Sequence, residues 1–214
     1  MKLLAEGRAS WVYDLGDGRV LRRFKQRGDP TREELVMEHA RAHGFPVPQV
    51  LEHRPDGLVL ARVEGPTMAE DLALAPWRLR AHARTIVDLH DRLHEIRSPA
   101  GLRSIDGGDS LLHLDLHPEN VLLSPSGPVV IDWTNALGGT PELDVAFTWM
   151  VLKTSSSRNP FELGGMRLFA RAFARYAGPE PIHRGLRRAI EIRLDDPNIY
   201  ASERARLRRL RNGL

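Results

Sequence analysis

Short apolar runs separated by turn residues open the chain, and this pattern predicts β-strands. The first three runs are residues 3–4, 11–13 and 19–24, with Gly16-Asp-Gly18 as the turn before the third run. Another apolar run follows at residues 58–63. We therefore expect a small β-sheet in the first third of the chain.

One helix is predicted between these strands, over residues 31–43. Glu33 is followed by apolar residues at i+3, i+4 and i+7, so it lies on the apolar, inward face of that helix. Thr31 is expected to be the N-cap, with Glu34 completing a capping box, and Gly44 lies just past the end. The sequence thus places one acidic side chain on the buried face.

Beyond residue 64 the apolar residues recur mainly at steps of three and four, which predicts helices. The clearest case is residues 77–96, in which His90 and His94 are interpreted as packed or surface histidines rather than ligands. A second helix is predicted at residues 145–153, and two more follow towards the C terminus. This part of the chain is expected to be largely helical.

One polar stretch interrupts the helical part. Residues 113–120 read His-Leu-Asp-Leu-His-Pro-Glu-Asn, and an apolar strand pair broken by Ser124-Pro-Ser-Gly127 then leads to Asp132. Such a hairpin can bring Asp115, Asn120 and Asp132 to one point. Phosphoryl transfer needs a carboxylate to deprotonate the acceptor and oxygen ligands for Mg²⁺. Asp115 is therefore interpreted as the base, with Asn120 and Asp132 as metal ligands.

Two other interpretations of this stretch remain open. His113, Asp115 and His117 alternate along the chain, and imidazole with carboxylate also suits a transition metal such as zinc or iron. The same segment is also compatible with an ordinary strand whose polar residues face water.

The composition narrows the class of protein. The 214 residues contain no cysteine, which excludes disulfides and cysteine nucleophiles, and the net charge is +3. Three of the 31 basic residues are lysine, and the 28 acidic residues are interspersed among them, which is typical of a solvated surface. No apolar run approaches the ~20 residues of a membrane span. We expect a cytoplasmic protein with neither a nucleic-acid nor a membrane partner.

The lines HLDLHPENVLL and VVIDWTNA resemble the catalytic core of the aminoglycoside phosphotransferase and choline kinase family. That family more often has H-G-D-x-H-x-x-N followed by I-D-W/F-E. Leu114 and Glu119 stand where the family often has glycine. The spacing H-x-D-x-x-x-x-N is also that of the protein kinases.

The resemblance implies an α+β, two-lobed, protein-kinase-like fold that uses ATP and Mg²⁺. It implies a β-rich N-terminal lobe at residues 1–64 and a helical lobe at residues 65–214. The expected activity is transfer of the γ-phosphate to a free hydroxyl of a small molecule, such as an aminoglycoside, an amino alcohol or another metabolite. A nucleotide-binding pseudokinase and a protein kinase are the alternatives, and the sequence does not predict the oligomeric state.

The resemblance also implies a nucleotide site in the first lobe. Residues 7–10, ending at Ser10, are expected to cover the phosphates, with a plain hairpin turn as the alternative, because one glycine with small neighbours suits both. The backbone of Ala61 to Val63 is expected to meet the adenine. The family's strand cation should be Arg22, because alternation places it on the face of Val20 and Lys25 on the opposite face. Glu33 is its expected partner.

Two further roles follow from the resemblance. His113 is assigned to catalysis because it shapes the catalytic loop, and Asp144 is expected to accept backbone hydrogen bonds from that loop. The alternative for Asp144 is a simple N-cap. Glu191 and the pair Asp195-Asp196 are candidates for facing a cationic acceptor, or else mark a helix end at the surface.

Overall fold

A five-stranded antiparallel sheet forms the first part of the computed structural model, which describes residues 1–7, 10–25, 29–155, 159–196 and 199–214. The strands lie in the order β1-β2-β3-β5-β4. Their bounds are β1 Lys2–Glu6, β2 Ser10–Gly16, β3 Arg19–Phe24, β4 Val50–Arg54 and β5 Gly57–Ala61. The predicted sheet is therefore present, with β3 at its centre.

The first helix, α1, spans Pro30–Ala42 and lies between β3 and β4 along the chain. Its N-cap is Asp29, whose side chain accepts a hydrogen bond from the Arg32 N–H at 3.1 Å. The predicted cap at Thr31 is wrong, because Pro30 fits the first helical position with its fixed φ. Glu33 is buried on the inward face as expected.

The part of the chain after β5 is mainly helical. Its helices are α2 Met68–Leu74, α3 Leu79–His94, α4 Pro141–Thr154, α5 Pro160–Ala177, α6 Pro179–Asp195 and α7 Ala201–Asn212. The long helix predicted at residues 77–96 begins two residues later, and Trp77 is exposed in a short 3₁₀ turn before it. None of these helices, which lie within the described ranges, is both long and apolar enough to cross a membrane.

Two small antiparallel strand pairs interrupt the helices. The pairs are β6 Ser110–Leu112 with β9 Leu137–Gly139, and β7 Val121–Ser124 with β8 Gly127–Val130. The predicted hairpin is the second pair, and the Ser124 hydroxyl closes its turn by donating to the Gly127 carbonyl at 2.8 Å. Asn120 directly precedes this hairpin, and Asp132 follows it.

The apolar core is continuous from the sheet into the helices. One cluster joins β3, β5 and α1 to α3 and α5, and a second lies between α4, α6 and α7. Trp133 is fully buried in the first cluster, with its ring edge-on to Phe45 at 5.7 Å and to His113 at 4.7 Å between centroids. The segment after β8 therefore packs against both the sheet-bearing part, through Phe45, and the helical part, through His113. The proposed boundary near residue 64 stays a prediction.

Candidate active site

The loop of residues 113–120 runs between β6 and β7. On its buried side it is held by the carboxylate of Asp144. Asp144 Oδ2 accepts the N–H of His113 at 3.0 Å, and Asp144 Oδ1 accepts the N–H of Leu114 at 2.7 Å. Asp144 is completely buried in the first turn of α4, whose N-cap is Thr140. Asp144 therefore accepts the expected backbone hydrogen bonds, and the N-cap alternative is wrong.

Leu114 has a left-handed backbone conformation, with φ of 57°. An L-residue with a side chain is disfavoured in this region, which is why glycine is common at such positions. Here the leucine side chain is buried in the core cluster, and its N–H is tied to Asp144. Burial and this hydrogen bond offset the backbone strain.

Asp115, the candidate base, projects from this loop and is about one quarter exposed, at 23%. The Asn120 side-chain amide donates to the Asp115 carbonyl at 2.8 Å, which fixes the turn between them. Burial alone raises the pKa of Asp115, but nearby His117, His113 and Arg193 outweigh it and lower the pKa to about 2. The carboxylate is consequently ionised at neutral pH and able to accept a proton.

His117 lies beside Asp115 and was not singled out as a site residue in the phosphotransfer interpretation. Its Nδ1 accepts the Glu119 N–H at 3.3 Å, and its Nε2 lies 3.5 Å from Asp115 Oδ1 and 3.3 Å from the Asn120 amide nitrogen. Burial lowers the pKa of His117, yet the Asp115 carboxylate outweighs this and raises it. The alternation Asp-x-His was the sequence signal for this pair.

Asp132 follows β8 and reaches the same place as Asn120. The Ile131 N–H donates to the Asn120 carbonyl at 3.0 Å, so the hairpin ladder extends to the residue before Asp132. Asp132 has a φ of 65°, another left-handed conformation. The hairpin therefore brings Asn120 and Asp132 to the same end of the strand pair, as their sequence spacing predicts.

Arg22 extends from β3 to this point and is 6% exposed. Its Nη2 donates to Asp132 Oδ1 at 2.5 Å, and its Nε lies 3.4 Å from Glu33 Oε1 without hydrogen-bond alignment. Burial raises the pKa of Asp132, but the contact with Arg22 outweighs it and leaves that pKa lowered. Burial keeps the pKa of Glu33 raised despite Arg22.

Thr134 completes this group and was missed by sequence reasoning. Its hydroxyl oxygen accepts from Arg22 Nη2 at 2.8 Å and lies 3.0 Å from Asp132 Oδ1 and 3.3 Å from Glu33 Oε2. Thr134 occupies the position where the resembled family more often has glutamate. This departure from the family motif was the sequence signal for Thr134, because threonine in place of glutamate removes one carboxylate from the surroundings of Arg22.

Lys25 points away from this group. Its Nζ contacts Glu6 Oε1 at 2.5 Å and lies 5.0 Å from the centre of the Trp11 ring. The irregularity in the β2–β3 register falls between Asp14 and Gly16, at the far end of the strand. The geometry thus agrees with the alternation that selects Arg22.

Ser10, Ala61 and Val63 are the other residues expected to contact the nucleotide. Ser10 is buried at the start of β2, and the two residues before it in the expected phosphate loop, Arg8 and Ala9, lie outside the described residues. The Ala61 N–H donates a hydrogen bond to the Gln49 carbonyl at 2.9 Å. Ala61 can therefore offer an adenine only its carbonyl oxygen. Contacts of Val63 with a nucleotide stay a prediction.

Two of the three candidate acceptor acids, Glu191 and Asp196, already have basic partners. Glu191 Oε2 lies 3.4 Å from Arg188 Nη1, and Asp196 Oδ2 lies 3.1 Å from Arg193 Nη1. Their role in binding a cationic acceptor stays a prediction.

The transition-metal alternative at His113, Asp115 and His117 is not supported. The His113 ring is fully buried, with its Nε2 at the Ile131 carbonyl oxygen at 3.1 Å, and within the described part of the chain the three-ligand cluster lies elsewhere.

The side of the catalytic loop that carries Asp115, Asn120 and Asp132 is its open side. The oxygen atoms of Asn120 and Asp132 on this side fit Mg²⁺. The Asn120 amide nitrogen is committed to Asp115, which directs its amide oxygen away from the loop backbone, and no donor to that oxygen is found in the described ranges. Asp132 supplies a carboxylate. Amide and carboxylate oxygens are hard ligands of the kind that Mg²⁺ takes beside phosphates.

Comparison with known proteins gave one family match over part of the chain. The sequence model of the phosphotransferase enzyme family matches residues 99–188. A search among curated proteins gave no match.

Three similar solved structures are distant in sequence. The gentamicin complex of APH(2″)-IIa has a TM-score of 0.63 at 13% identity, covering 99% of this chain and 88% of that one. The ethanolamine kinase of Plasmodium vivax has a TM-score of 0.62 at 11% identity, covering 98% and 81%. A GDP complex of an aminoglycoside 2′-phosphotransferase-IIIa mutant has a TM-score of 0.63 at 17% identity, covering 99% and 87%.

The chain therefore has a two-lobed α+β protein-kinase-like fold, and over residues 99–188 it matches the phosphotransferase enzyme family.

Proposed function

We propose that this protein transfers the γ-phosphate of ATP to a hydroxyl group of a small molecule. The observation that carries the proposal is the meeting of Arg22, Glu33 and Asp132 beside an ionised Asp115. A phosphate-binding cation, a metal ligand and a base are the parts that phosphoryl transfer requires. The β-rich part up to about residue 64 would hold the nucleotide, and the helical part would hold the acceptor.

Asp115 is the proposed base. Its lowered pKa keeps it unprotonated, so it orients the acceptor hydroxyl and accepts its proton as the oxygen attacks phosphorus. His117 Nε2 faces the same carboxylate and keeps it ionised. His113 is a positioning residue, because its buried ring joins the loop to the Ile131 carbonyl and to Trp133 without reaching the open side.

Asn120 and Asp132 are the proposed Mg²⁺ ligands. Bound Mg²⁺ would neutralise charge on the phosphates as the bond to the leaving group breaks. Arg22 now contacts Asp132 directly, so nucleotide binding must exchange part of this contact for a contact between Arg22 and phosphate. Glu33, with its Oε1 accepting the Trp133 N–H at 3.3 Å, holds Arg22 in place during that exchange.

The small-molecule acceptor is proposed by analogy with the similar structures. A gentamicin complex and a ternary complex with streptomycin and ATP are known for APH(2″)-IIa, and another neighbour is an ethanolamine kinase. These acceptors are cationic hydroxyl compounds. An amino alcohol or an aminoglycoside is thus the first class to test.

A nucleotide-binding protein without turnover is the second candidate. The observation that favours it is the 2.5 Å contact between Arg22 Nη2 and Asp132 Oδ1, which occupies the proposed metal ligand. An arginine fork holds a carboxylate more firmly than a lysine does.

The test is a screen for ADP release from Mg·ATP, with aminoglycosides, amino alcohols and other hydroxylated metabolites as acceptors and GTP as an alternative donor. We expect release that depends on one acceptor class and disappears in Asp115→Asn. Mg·ATP binding without release for any acceptor would favour the second candidate. Release that is equal in the wild type and in Asp115→Asn would reject the proposed base.

A further inference from the structure

Three potential metal ligands converge behind the catalytic loop, on the side away from Arg22. His90 and His94 are one helical turn apart on α3, and Asp144 faces them from α4. Their ligand atoms all lie within 4.8 Å of one another. Asp144 Oδ2 is 3.0 Å from His94 Nε2 and 3.5 Å from His90 Nδ1.

The hydrogen bonds around His90 fix its tautomer. The Thr148 hydroxyl donates its hydrogen to the Leu116 carbonyl at 2.9 Å, so it can only accept from His90 Nε2, which lies 3.0 Å away. Nε2 therefore carries the proton, and in a neutral imidazole Nδ1 then carries a lone pair. Thr148 thus directs an unprotonated nitrogen towards Asp144.

This Nδ1 atom is buried and has no hydrogen-bond partner among the residues that the structure describes. It faces Asp144 Oδ2, which is also an acceptor. Two buried acceptors at this separation repel unless a proton or a metal cation lies between them.

Two of the three separations between ligand atoms fit a metal cation. Around a tetrahedral Zn²⁺ with ligand distances near 2.0–2.1 Å, neighbouring ligand atoms are about 3.3 Å apart. The two distances from Asp144 Oδ2, 3.0 and 3.5 Å, bracket that value. Asp144 Oδ2 accepts the His113 N–H, and its 3.0 Å contact with His94 Nε2 is a hydrogen bond when that nitrogen carries the proton. With the His94 proton on Nδ1 instead, Oδ2 retains a lone pair for a metal.

A cavity of about 240 Å³ adjoins the two histidines, with Asp144 buried behind them. His90 and His94 line it together with Asp91 and Glu142, and its far wall is formed by apolar residues of α5. The cavity offers a route for a hydrated cation and room for a water molecule as a fourth ligand.

We propose that His90 Nδ1, His94 Nε2 and Asp144 Oδ2 bind one Zn²⁺ ion, with water from the adjoining cavity in the fourth position. His94 must then carry its proton on Nδ1, because a metal-bound imidazole nitrogen has none. The ion would tie α3 and α4 to the carboxylate that holds the catalytic loop. This assignment replaces the interpretation of both histidines as simply packed, and it does not depend on the proposed reaction.

Cobalt and zinc titration of the chelator-treated protein tests the site without an activity assay. We expect one equivalent of Co²⁺ to give the strong visible absorption of a four-coordinate site, and one equivalent of Zn²⁺ to remove it. His90→Gln should abolish the absorption, because the glutamine amide can still reach Thr148 but leaves no ligand at the Nδ1 position.

The chain offers a matched control in His39 and His43, a second histidine pair one turn apart. His39 Nε2 contacts the Arg97 carbonyl oxygen and His43 Nδ1 contacts the His39 carbonyl oxygen. His39→Gln should therefore keep the cobalt spectrum. Asp132→Ala should also keep it, because the Mg²⁺ ligands lie on the other side of the loop.

Three outcomes would overturn the proposal. Wild-type protein that binds no Co²⁺ above background would mean that a proton alone separates His90 from Asp144. A spectrum retained in His90→Gln, or lost in Asp132→Ala, would place the metal elsewhere. If His90→Gln fails to fold, thermal unfolding of the wild type still decides the question, since bound Zn²⁺ must raise its melting temperature and an unchanged melting temperature contradicts the site.

Discussion

The two sides of the catalytic loop use aspartate in opposite ways. On the buried side, Asp144 has both oxygens occupied by backbone N–H groups of the loop. On the open side, Asp132 is neutralised by the side chain of Arg22, and Asp115 by nearby His117. Backbone donors cannot leave without local unfolding, whereas side-chain partners can be exchanged for a ligand.

The pKa values of both carboxylates are lowered, by different neighbours. Burial opposes ionisation of Asp144, but His90 and His94 outweigh it and hold the pKa well below its usual range. The pKa of Asp132 is also lowered, chiefly by Arg22 acting against burial. A carboxylate held by fixed donors sets geometry, and one held by a mobile cation is available for chemistry. Substitutions on the two sides should therefore affect different measurements.

The largest effect on rate is expected on the open side, for Asp115→Asn. We expect turnover to fall by about 10²–10⁴-fold, the range for loss of a general base, while Mg·ATP affinity stays unchanged. Steady-state kinetics with the acceptor found by screening measure turnover. Calorimetry with Mg·ATP measures the nucleotide affinity. A variant that keeps more than a tenth of the wild-type rate would show that another group is the base.

The largest effect on stability is expected on the buried side, for Asp144→Asn. The amide group can accept only one of the two loop hydrogen bonds and presents its NH₂ to the other donor, which should cost about 3 kcal/mol of unfolding free energy. Urea denaturation measures this cost. The control is Glu142→Gln two residues away, whose contact with the exposed Arg184 should contribute far less to stability. Equal costs for the two variants would mean that the loop does not depend on Asp144.

A smaller effect should distinguish Arg22, which lies in β3, from Lys25, which follows that strand. Arg22→Ala and Glu33→Ala should each weaken use of Mg·ATP about ten- to hundredfold, because they remove a phosphate-binding fork and the carboxylate that orients it. The double variant should cost less than the sum of the single variants, since both residues act as one unit. The measurement is kcat/KM for Mg·ATP.

Lys25→Ala is the matched control for Arg22, because its Nζ pairs with Glu6 instead. It should change kcat/KM for Mg·ATP little. An inactive Lys25→Ala together with a tolerated Arg22→Ala would mean that the lysine, not the arginine, serves the nucleotide.

The smallest effect concerns acid stability. The pKa of Asp115 is lowered from 3.8 to about 2 in the folded protein. A lowered pKa means that its charge contributes stability above the unfolded pKa and loses it as pH falls through the folded pKa. From pH 6 to pH 3 this contribution should fall by about 1 kcal/mol. Urea denaturation of the wild type and Asp115→Asn at both pH values should show their difference shifting by that amount in favour of the variant; a constant difference would contradict the lowered pKa.

Local sequence patterns predicted much of this site. Strand alternation placed Arg22 on the inward face, helix spacing placed Glu33 on the buried face of α1, and turn residues predicted the hairpin that leads to Asp132. These features depend on neighbours a few residues apart, which is why periodicity reveals them. The N-cap of α1 was misplaced because Asp29 and Pro30 lie outside the apolar stripe that marked the helix.

The remaining features depend on contacts between distant segments. The pairing of His90 with Asp144 joins α3 to α4, and the Thr148 hydroxyl that orients the ring is 58 residues from it. The contact of Thr134 with Arg22 spans 112 residues. Side-chain spacing along one element carries no information about such distances, so these contacts become visible only when the helices and the sheet are packed.

The most direct test of the account is calorimetric titration of Mg·ATP into the wild type and Asp132→Ala, with and without Mg²⁺. If Asp132 and Asn120 hold the metal that bridges protein and phosphates, the wild type should bind ATP in a Mg²⁺-dependent way and Asp132→Ala should lose that dependence. Equal Mg·ATP affinity in the two proteins would contradict the account, because the open side of the loop would then not be the nucleotide site.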